Sequence, residues 1–272
     1  MYSGTTLTRF SGRVIGTHQK IDKVARKQLA MLIKGKEIFP TSTNILLFEG
    51  KNGPDAIKRK SPAKDEPWHY YSPFDNEDST LIELIKDHYK NLIKELKVGN
   101  NERIAFEAAW LAHAIVDGLT PAHHYPYEQK IIEMGGNMKD RSSISKKWFI
   151  KAPTKSGTVK NTWKMWGPKG LISTHSYFEF GVAILLAPLS VEAANLSPSD
   201  IKSLSEDGII EVFKNTAREI AVLDIYNDYY RRGWTPRSAY VVRKKLYPAI
   251  VKTVTLAWYS SLIDAGLVKI KK

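Results

Sequence analysis

The chain has no cysteine among its 272 residues, which excludes both a disulfide framework and a thiolate metal site. It also lacks any run of about 18 uninterrupted apolar residues, the length that a membrane-spanning helix needs. The longest apolar stretch, 180–194, contains Pro188 and Glu192 and predicts a buried helix. Little of the sequence alternates with the period of a strand. The scarcity of such alternation predicts an all-α fold. The absence of cysteine leaves His, Asp and Glu as the residues that could coordinate a metal.

Acidic residues are scarce relative to basic ones, since 28 Asp and Glu stand against 41 Lys and Arg and leave a formal net charge of +13. A positive field of this size raises the local concentration of anions. It therefore predicts an anionic partner, which could be a phosphodiester, a membrane surface or a nucleic acid. The charge alone does not choose among the three.

The length and the 43% hydrophobic content predict one domain that spans residues 1–272. The first twenty residues lack the apolar segment of a secretory signal peptide. We therefore expect a cytoplasmic protein from the sequence as it stands, or a secreted protein if this is a trimmed form.

Apolar residues recur with a helical period through most of the chain. A loop rich in Gly and Pro is expected at about 50–76. The predicted helices are one that starts at Thr17, then 79–96, 101–119, 174–194, 201–231 with a break near Gly208, and 236–262.

The segment 139–170 differs in composition from the rest of the chain. Its nine Lys or Arg residues stand against one acidic residue, and Trp148, Trp163 and Trp166 lie among them. The pattern predicts an irregular surface insertion. This insertion is either a solvated basic loop or a contact surface for a membrane or a nucleic acid, built of cations and aromatics.

Two pairs of a histidine and an acidic residue have the four-residue spacing that puts both side chains on one face of a helix. They are His113 with Asp117 and His175 with Glu179. Each pair could bind one cation. Because further His and Asp residues accompany them, the sequence predicts a metal site with more than one ion. The complete set of candidate ligands is His18, Asp55, His69, His113, Asp117, His123, His175 and Glu179.

Two histidines have simpler interpretations. His88 lies among charged residues on a predicted helix, and we assign it no role. His124 adjoins His123, and either could turn inward, but the six-residue spacing from Asp117 favours His123. The two helical pairs could also be ordinary ion pairs on helix surfaces.

Five segments, in this order, resemble the zinc-dependent phospholipase C family and its relatives, the S1/P1-type nucleases. The resemblance covers about residues 16 to 180 and implies a multi-helix bundle with a metal cluster in a cleft. The segments are GTHQKIDKVARKQL, NGPD, WHYYSPFD, AAWLAHAIVDGLTPAHH and HSYFE.

The resemblance also implies which ligands share an ion. His69, His113 and Asp117 would hold one zinc with Asp55 on or beside it, and His123, His175 and Glu179 would hold a second. In the family a third zinc is bound by the bridging aspartate, by the histidine that matches His18 and by an N-terminal tryptophan. This chain departs there, because residue 1 is Met and no tryptophan precedes Trp68. We therefore favour two bound zinc ions over three.

The resemblance implies hydrolysis of a phosphoric ester by a water that zinc activates. Asp55 would orient that water or accept its proton, and Trp68 is the candidate for substrate contact. Phospholipid, cleaved as by a phospholipase C, is the leading substrate hypothesis, with peripheral membrane contact. The alternatives are a single-strand nuclease and a non-catalytic, metal-containing module that binds lipid or nucleic acid.

Overall fold

A computed structural model describes residues 1–3, 16–50, 52–60, 68–136, 149–189 and 194–270. All regular structure in these ranges is helical, which confirms the predicted all-α class. No helix in the same ranges combines the length and the apolar composition that crossing a membrane requires. In chain order the helices are α1 (Thr17–Leu32), α2 (Ser42–Leu47), α3 (Pro54–Lys60), α4 (Thr80–Val98), α5 (Asn101–Gly118), a 3-10 helix (Pro121–His124), α6 (Tyr127–Glu133), α7 (Lys155–Trp166), α8 (Leu171–Leu186), α9 (Pro198–Val222), α10 (Ile225–Arg232), α11 (Pro236–Val241), a π-helical turn (Val242–Leu246) and α12 (Tyr247–Asp264).

The core forms around α5 and α12, which are apolar around most of their circumference. Helix α12 packs against α1, α4, α5 and α9. Trp258 is fully buried there, and its indole N–H donates a hydrogen bond of 3.0 Å to the carbonyl of Ala108. Helices α4 and α5 pack against each other because Gly99, with a left-handed φ of 79°, ends α4 and Asn100 immediately caps α5.

Several predicted boundaries need correction. The break near Gly208 is confirmed, with φ 74° and ψ 165°, but 201–231 is two helices, α9 and α10, separated at Asp224. The helix predicted over 174–194 begins at Leu171 and ends at Leu186. The predicted loop 50–76 contains α3, so Asp55 lies in the first turn of a short helix that begins at a proline.

The predicted irregular insertion at 139–170 is wrong over its second half. Helix α7 covers Lys155–Trp166, and the side chain of Thr154 caps it by accepting from the N–H of Gly157. Residues 137–148, with Trp148, lie outside the described residues.

Residues 1–3 lie between α1 and α8. The N–H of Thr17 donates to the carbonyl of Tyr2 at 2.7 Å, and the Tyr2 ring packs edge-on against Phe180 with 5.9 Å between centroids. Met1 is buried as a result. The start of α1, the end of α5, the 3-10 helix and the middle of α8 therefore surround the amine of Met1.

Candidate metal centre

Asp117 lies at the centre of the predicted ligands. Its Oδ1 is 2.7 Å from the α-amine of Met1, 3.3 Å from Nε2 of His18 and 3.4 Å from Nδ1 of His123. Its Oδ2 is 3.1 Å from Nε2 of His113. A single buried carboxylate therefore has nitrogen atoms of four residues around it. Asp117 could therefore serve as a ligand in a metal site.

His18, His113 and Asp117 form a first group whose ligand atoms all lie within 4.8 Å of one another. The two imidazole rings are stacked, with centroids 4.1 Å apart and planes 15° from parallel, and both direct Nε2 towards Asp117. Both ring nitrogens of His18 are buried and make no hydrogen bond within the described part of the chain. Buried polar atoms normally have partners, so a cation suits this group chemically.

His123, His175 and Glu179 form a second group of the same kind. Oε1 of Glu179 lies 3.1 Å from Nε2 of His123 and 3.1 Å from Nε2 of His175. The two rings are stacked with centroids 5.0 Å apart. Nδ1 of His123 lies 3.1 Å from the carbonyl of Asp117, to which it can donate, and this directs Nε2 towards Glu179.

The amine of Met1 joins the two groups. It lies 2.7 Å from Asp117 of the first group and 3.3 Å from Glu179 of the second. Burial alone would lower the pKa of this amine, but the negative charges of Asp117, Glu179 and Asp55 raise it to about 10. The sequence analysis assigned Met1 no role, because a methionine side chain offers no nitrogen or oxygen ligand and the α-amine belongs to no side-chain pattern.

The carboxylates of the cluster are held in the charged form. Burial alone would raise the pKa of Asp117, but the Met1 amine, His123 and His113 hold it well below its usual value. The same amine and His175 hold the pKa of Glu179 well below its usual value against the effect of burial. For His113, burial would lower the pKa, but Glu49 and Asp117 raise it well above the ordinary value. Without a metal the cluster balances its charge with protons, and a cation could take their place.

Asp55 and His69 lie beside these groups and are not members of them. Oδ1 of Asp55 is 3.8 Å from Nε2 of His113, and its side chain is 24% exposed. Nε2 of His69 accepts a hydrogen bond of 2.7 Å from the ammonium of Lys58, and the His69 ring lies 5.1 Å from that of His123. A metal on Nε2 of His69 would therefore require Lys58 to move.

Tyr70 places an aromatic ring beside the cluster. Its centroid lies 4.2 Å from that of His69 and 5.6 Å from that of His123. Trp68, the predicted substrate contact, is half-buried, packs against the core and meets Tyr70 at 5.8 Å. The segment WHYY contains both rings, and only the chain path in three dimensions distinguishes them.

The two histidines with simpler interpretations lie apart from the candidate ligands. Nε2 of His124 donates to the carbonyl of Gly118 at 2.8 Å, and burial lowers its pKa to about 4. His123, and not His124, therefore joins the cluster. His88 pairs with Glu107, with Nδ1 2.7 Å from a carboxylate oxygen.

Two buried acids behind the first group were not predicted. Oε1 of Glu49 lies 2.9 Å from Nδ1 of His113 and 3.5 Å from Nδ1 of His18. Asp22 is also buried, and its burial and the charge of Glu49 raise its pKa well above the usual value. Asp22 follows His18 with the same four-residue spacing as Asp117 follows His113, and this spacing could have predicted that Asp22 lies near the site. Glu49 follows α2 with no pattern around it.

Comparison of the chain with known protein families, with curated proteins and with solved structures gave no match. The chemistry of this centre is therefore inferred from its own residues. These are two groups, His18, His113 and Asp117, and His123, His175 and Glu179, each of which could hold a metal ion.

Proposed function

We propose that this protein is a zinc-dependent phosphoric ester hydrolase of the phospholipase C and S1/P1 nuclease type, and that the cluster around Asp117 is its active site. One observation carries the proposal: nitrogen atoms of Met1, His18, His113 and His123 all lie within 3.4 Å of the Asp117 carboxylate. Charged groups are rarely collected in a protein interior unless they bind an ion or do chemistry.

The donor set favours zinc. Imidazole nitrogens and carboxylate oxygens without thiolates suit zinc better than magnesium or calcium, which take oxygen ligands. Each of the two groups supplies two imidazoles and one carboxylate, so the proposal is two zinc ions, with a third where the amine of Met1 adds a donor. When bound, zinc supplies an activated water at neutral pH and stabilises negative charge on phosphate oxygens.

Asp55 has the position and charge for proton transfer in this site. Burial alone would raise its pKa, but the charges of His113 and Lys58 lower it below the usual value. Its side chain is partly exposed, so the carboxylate meets solvent next to His113. We propose that Asp55 orients the attacking water and accepts its proton. Lys58, which lies beside it, would attract the phosphate group.

Phospholipid is the substrate class that we propose. Helix α7 exposes Val159, Trp163 and Trp166, whose exposed fractions are 69%, 68% and 42%. The sequence 149–178 contains five lysines and no acidic residue. Exposed tryptophans beside lysines are typical of surfaces that lie on anionic membranes, and Val159 adds an aliphatic side chain that can enter lipid. Helix α7 packs against α8, which carries His175 and Glu179.

A single-strand nuclease is the second candidate. The same tryptophans could stack on bases and the same lysines attract a phosphate backbone. A third candidate, a metal-containing module without catalysis, would have all coordination positions filled by protein.

The test uses protein purified without chelator. Its metals are counted by elemental analysis, and the same sample is assayed on a short-chain phosphatidylcholine and on single-stranded DNA. The variant is His113→Ala, and the matched control is His88→Ala, because His88 also pairs with a buried glutamate but lies outside the cluster. We expect two or more zinc ions and lipid turnover that only His113→Ala abolishes. A folded protein without metal would refute the proposal, turnover of DNA alone would favour the nuclease, and bound zinc without turnover would favour the module.

A further inference from the structure

Glu49 contacts the two imidazoles of the first group at the edge opposite to Asp117. Its Oε1 lies 2.9 Å from Nδ1 of His113, which donates to it, and 3.5 Å from Nδ1 of His18. The side chain is fully buried, and its Oε2 has no hydrogen-bond partner in the described residues. Two stacked rings thus lie between one carboxylate on the Nδ1 side and another on the Nε2 side.

We infer that Glu49 is a positioning residue that holds His18 and His113 together as metal ligands. A carboxylate that receives Nδ1–H fixes the tautomer whose Nε2 carries the lone pair, and it fixes the direction of that lone pair. His113 donates a hydrogen bond of 2.9 Å to Glu49, whereas Nδ1 of His18 lies 3.5 Å from the same oxygen, an ion-pair distance without a hydrogen bond in the described residues. Both Nε2 atoms then point to Asp117.

This arrangement ties two ligands to one residue. His18 comes from the first turns of α1 and His113 from the last turns of α5, so no local geometry keeps their rings parallel. The Glu49 carboxylate, which enters from the segment after α2, lies against both. Its loss should therefore weaken every metal that uses His18 or His113. In the second group, His123 keeps its own orientation through the carbonyl of Asp117, and no member of that group contacts Glu49 in the described residues.

The inference rests on the proposed metal centre but not on its catalysis. The test is therefore metal binding, measured as zinc competition with a chromogenic chelator and as zinc per chain. The variant is Glu49→Gln, which keeps the size of the side chain but removes its charge. The matched control is Glu107→Gln. Glu107 is also buried, its carboxylate lies 2.7 Å from Nδ1 of His88, and the pair lies outside the cluster.

We expect Glu49→Gln to bind the zinc of the first group about 10- to 100-fold more weakly, with the zinc of the second group unchanged. Glu107→Gln should bind like the wild type. In the metal-free protein, ¹⁵N spectra of the imidazoles should show Nδ1–H on His113 of the wild type, and a change of its signal in Glu49→Gln.

Two results would overturn the inference: unchanged affinity in Glu49→Gln, or equal weakening of both groups. Thermal unfolding shows whether the variants fold. If Glu49→Gln does not fold, Glu49→Asp is the test, because it keeps the charge and withdraws the oxygens by one carbon, and it should show the same selective loss. A wild type that binds zinc without turnover would refute the hydrolase proposal and leave this inference standing, whereas a wild type without zinc would refute both.

Discussion

The α-amine of Met1 lies 2.7 Å from Oδ1 of Asp117, although 116 positions separate the two residues. The pair is buried, and the amine also lies 3.4 Å from the hydroxyl of Thr120. Removing one partner of a buried ion pair leaves the other charge without compensation, which typically costs about 3–5 kcal/mol.

Adding Gly-Ser before Met1 should therefore disturb the cluster. The addition turns the charged amine into a neutral amide beside Asp117 and Glu179, and it needs room where the chain is buried. We expect a lower midpoint of thermal unfolding for the metal-free protein and the loss or weakening of one bound zinc. The same two residues added after Lys272 serve as the control. Equal zinc binding and stability in both extended chains would contradict the expectation.

Asp117→Asn should affect more than one metal. Its two oxygens lie near His113 of the first group and His123 of the second. Glu179, by contrast, contacts only the second group and the amine of Met1 among the described residues of the cluster. We expect Asp117→Asn to reduce zinc by more than one ion per chain, and His175→Ala to reduce it by one. Elemental analysis of the folded variants measures this. Loss of a single zinc in both variants would show that Asp117 does not bridge.

Asp55→Asn should separate catalysis from binding. The amide cannot accept a proton, and general-base catalysis is worth about 10²- to 10⁴-fold in rate. We expect kcat for phosphoester hydrolysis to fall by at least about 100-fold with the zinc count retained, because Asp55 lies 3.8 Å from His113 and belongs to neither group. If zinc is lost in parallel with kcat, Asp55 is a ligand and its proposed role in proton transfer is wrong.

The exposed face of α7 should govern binding to lipid. Replacing both Trp163 and Trp166 by Ser removes most of its aromatic surface, and we expect binding to vesicles of anionic phospholipid to weaken by about 30-fold or more, since each buried tryptophan contributes more than about 1 kcal/mol. Tyr240→Ser is the control, because Tyr240 is 61% exposed on a different helix. Unchanged vesicle binding combined with weaker binding of single-stranded DNA would assign this face to nucleic acid.

Asp200 should make the free energy of unfolding fall as the pH is lowered into the acid range. It forms a capping box with Ser197 at the start of α9 and lies 2.9 Å from Lys252 of α12. Burial alone would raise the pKa of Asp200, but the hydrogen bonds from Ser197 and the charge of Lys252 lower it below its usual value. The stabilisation is therefore complete above the unfolded pKa and is lost as the pH falls through the folded pKa. We expect Asp200→Ala to lower the free energy of unfolding by about 1–2 kcal/mol at pH 7, and by a smaller amount at pH 3.

Urea unfolding at both pH values measures this difference. Glu211→Ala on the same helix is the control, since its pair with Lys214 is exposed and should be worth under about 0.5 kcal/mol. A difference between Asp200→Ala and the wild type that does not shrink in acid would contradict the expectation.

Local patterns in the sequence determined much of this protein. The helical period determined the all-α class, and the four-residue spacing put His113 beside Asp117 and His175 beside Glu179, because a helix brings such positions to one face wherever it lies. Gly208 interrupts α9 as predicted, since its positive φ is a backbone conformation that glycine adopts without strain. These outcomes depend on neighbours in the chain.

The tertiary structure decided which distant residues meet. The amine of Met1 lies in the cluster because Tyr2 bonds to the start of α1, and Glu49 lies behind His18 and His113 because α2 packs against both α1 and α5. No spacing in the sequence encodes these contacts, since they depend on how separate helices pack. The sequence determined the types of candidate ligand and their local faces, and only the packing of helices determined that the Asp117 carboxylate lies among His18, His113 and His123.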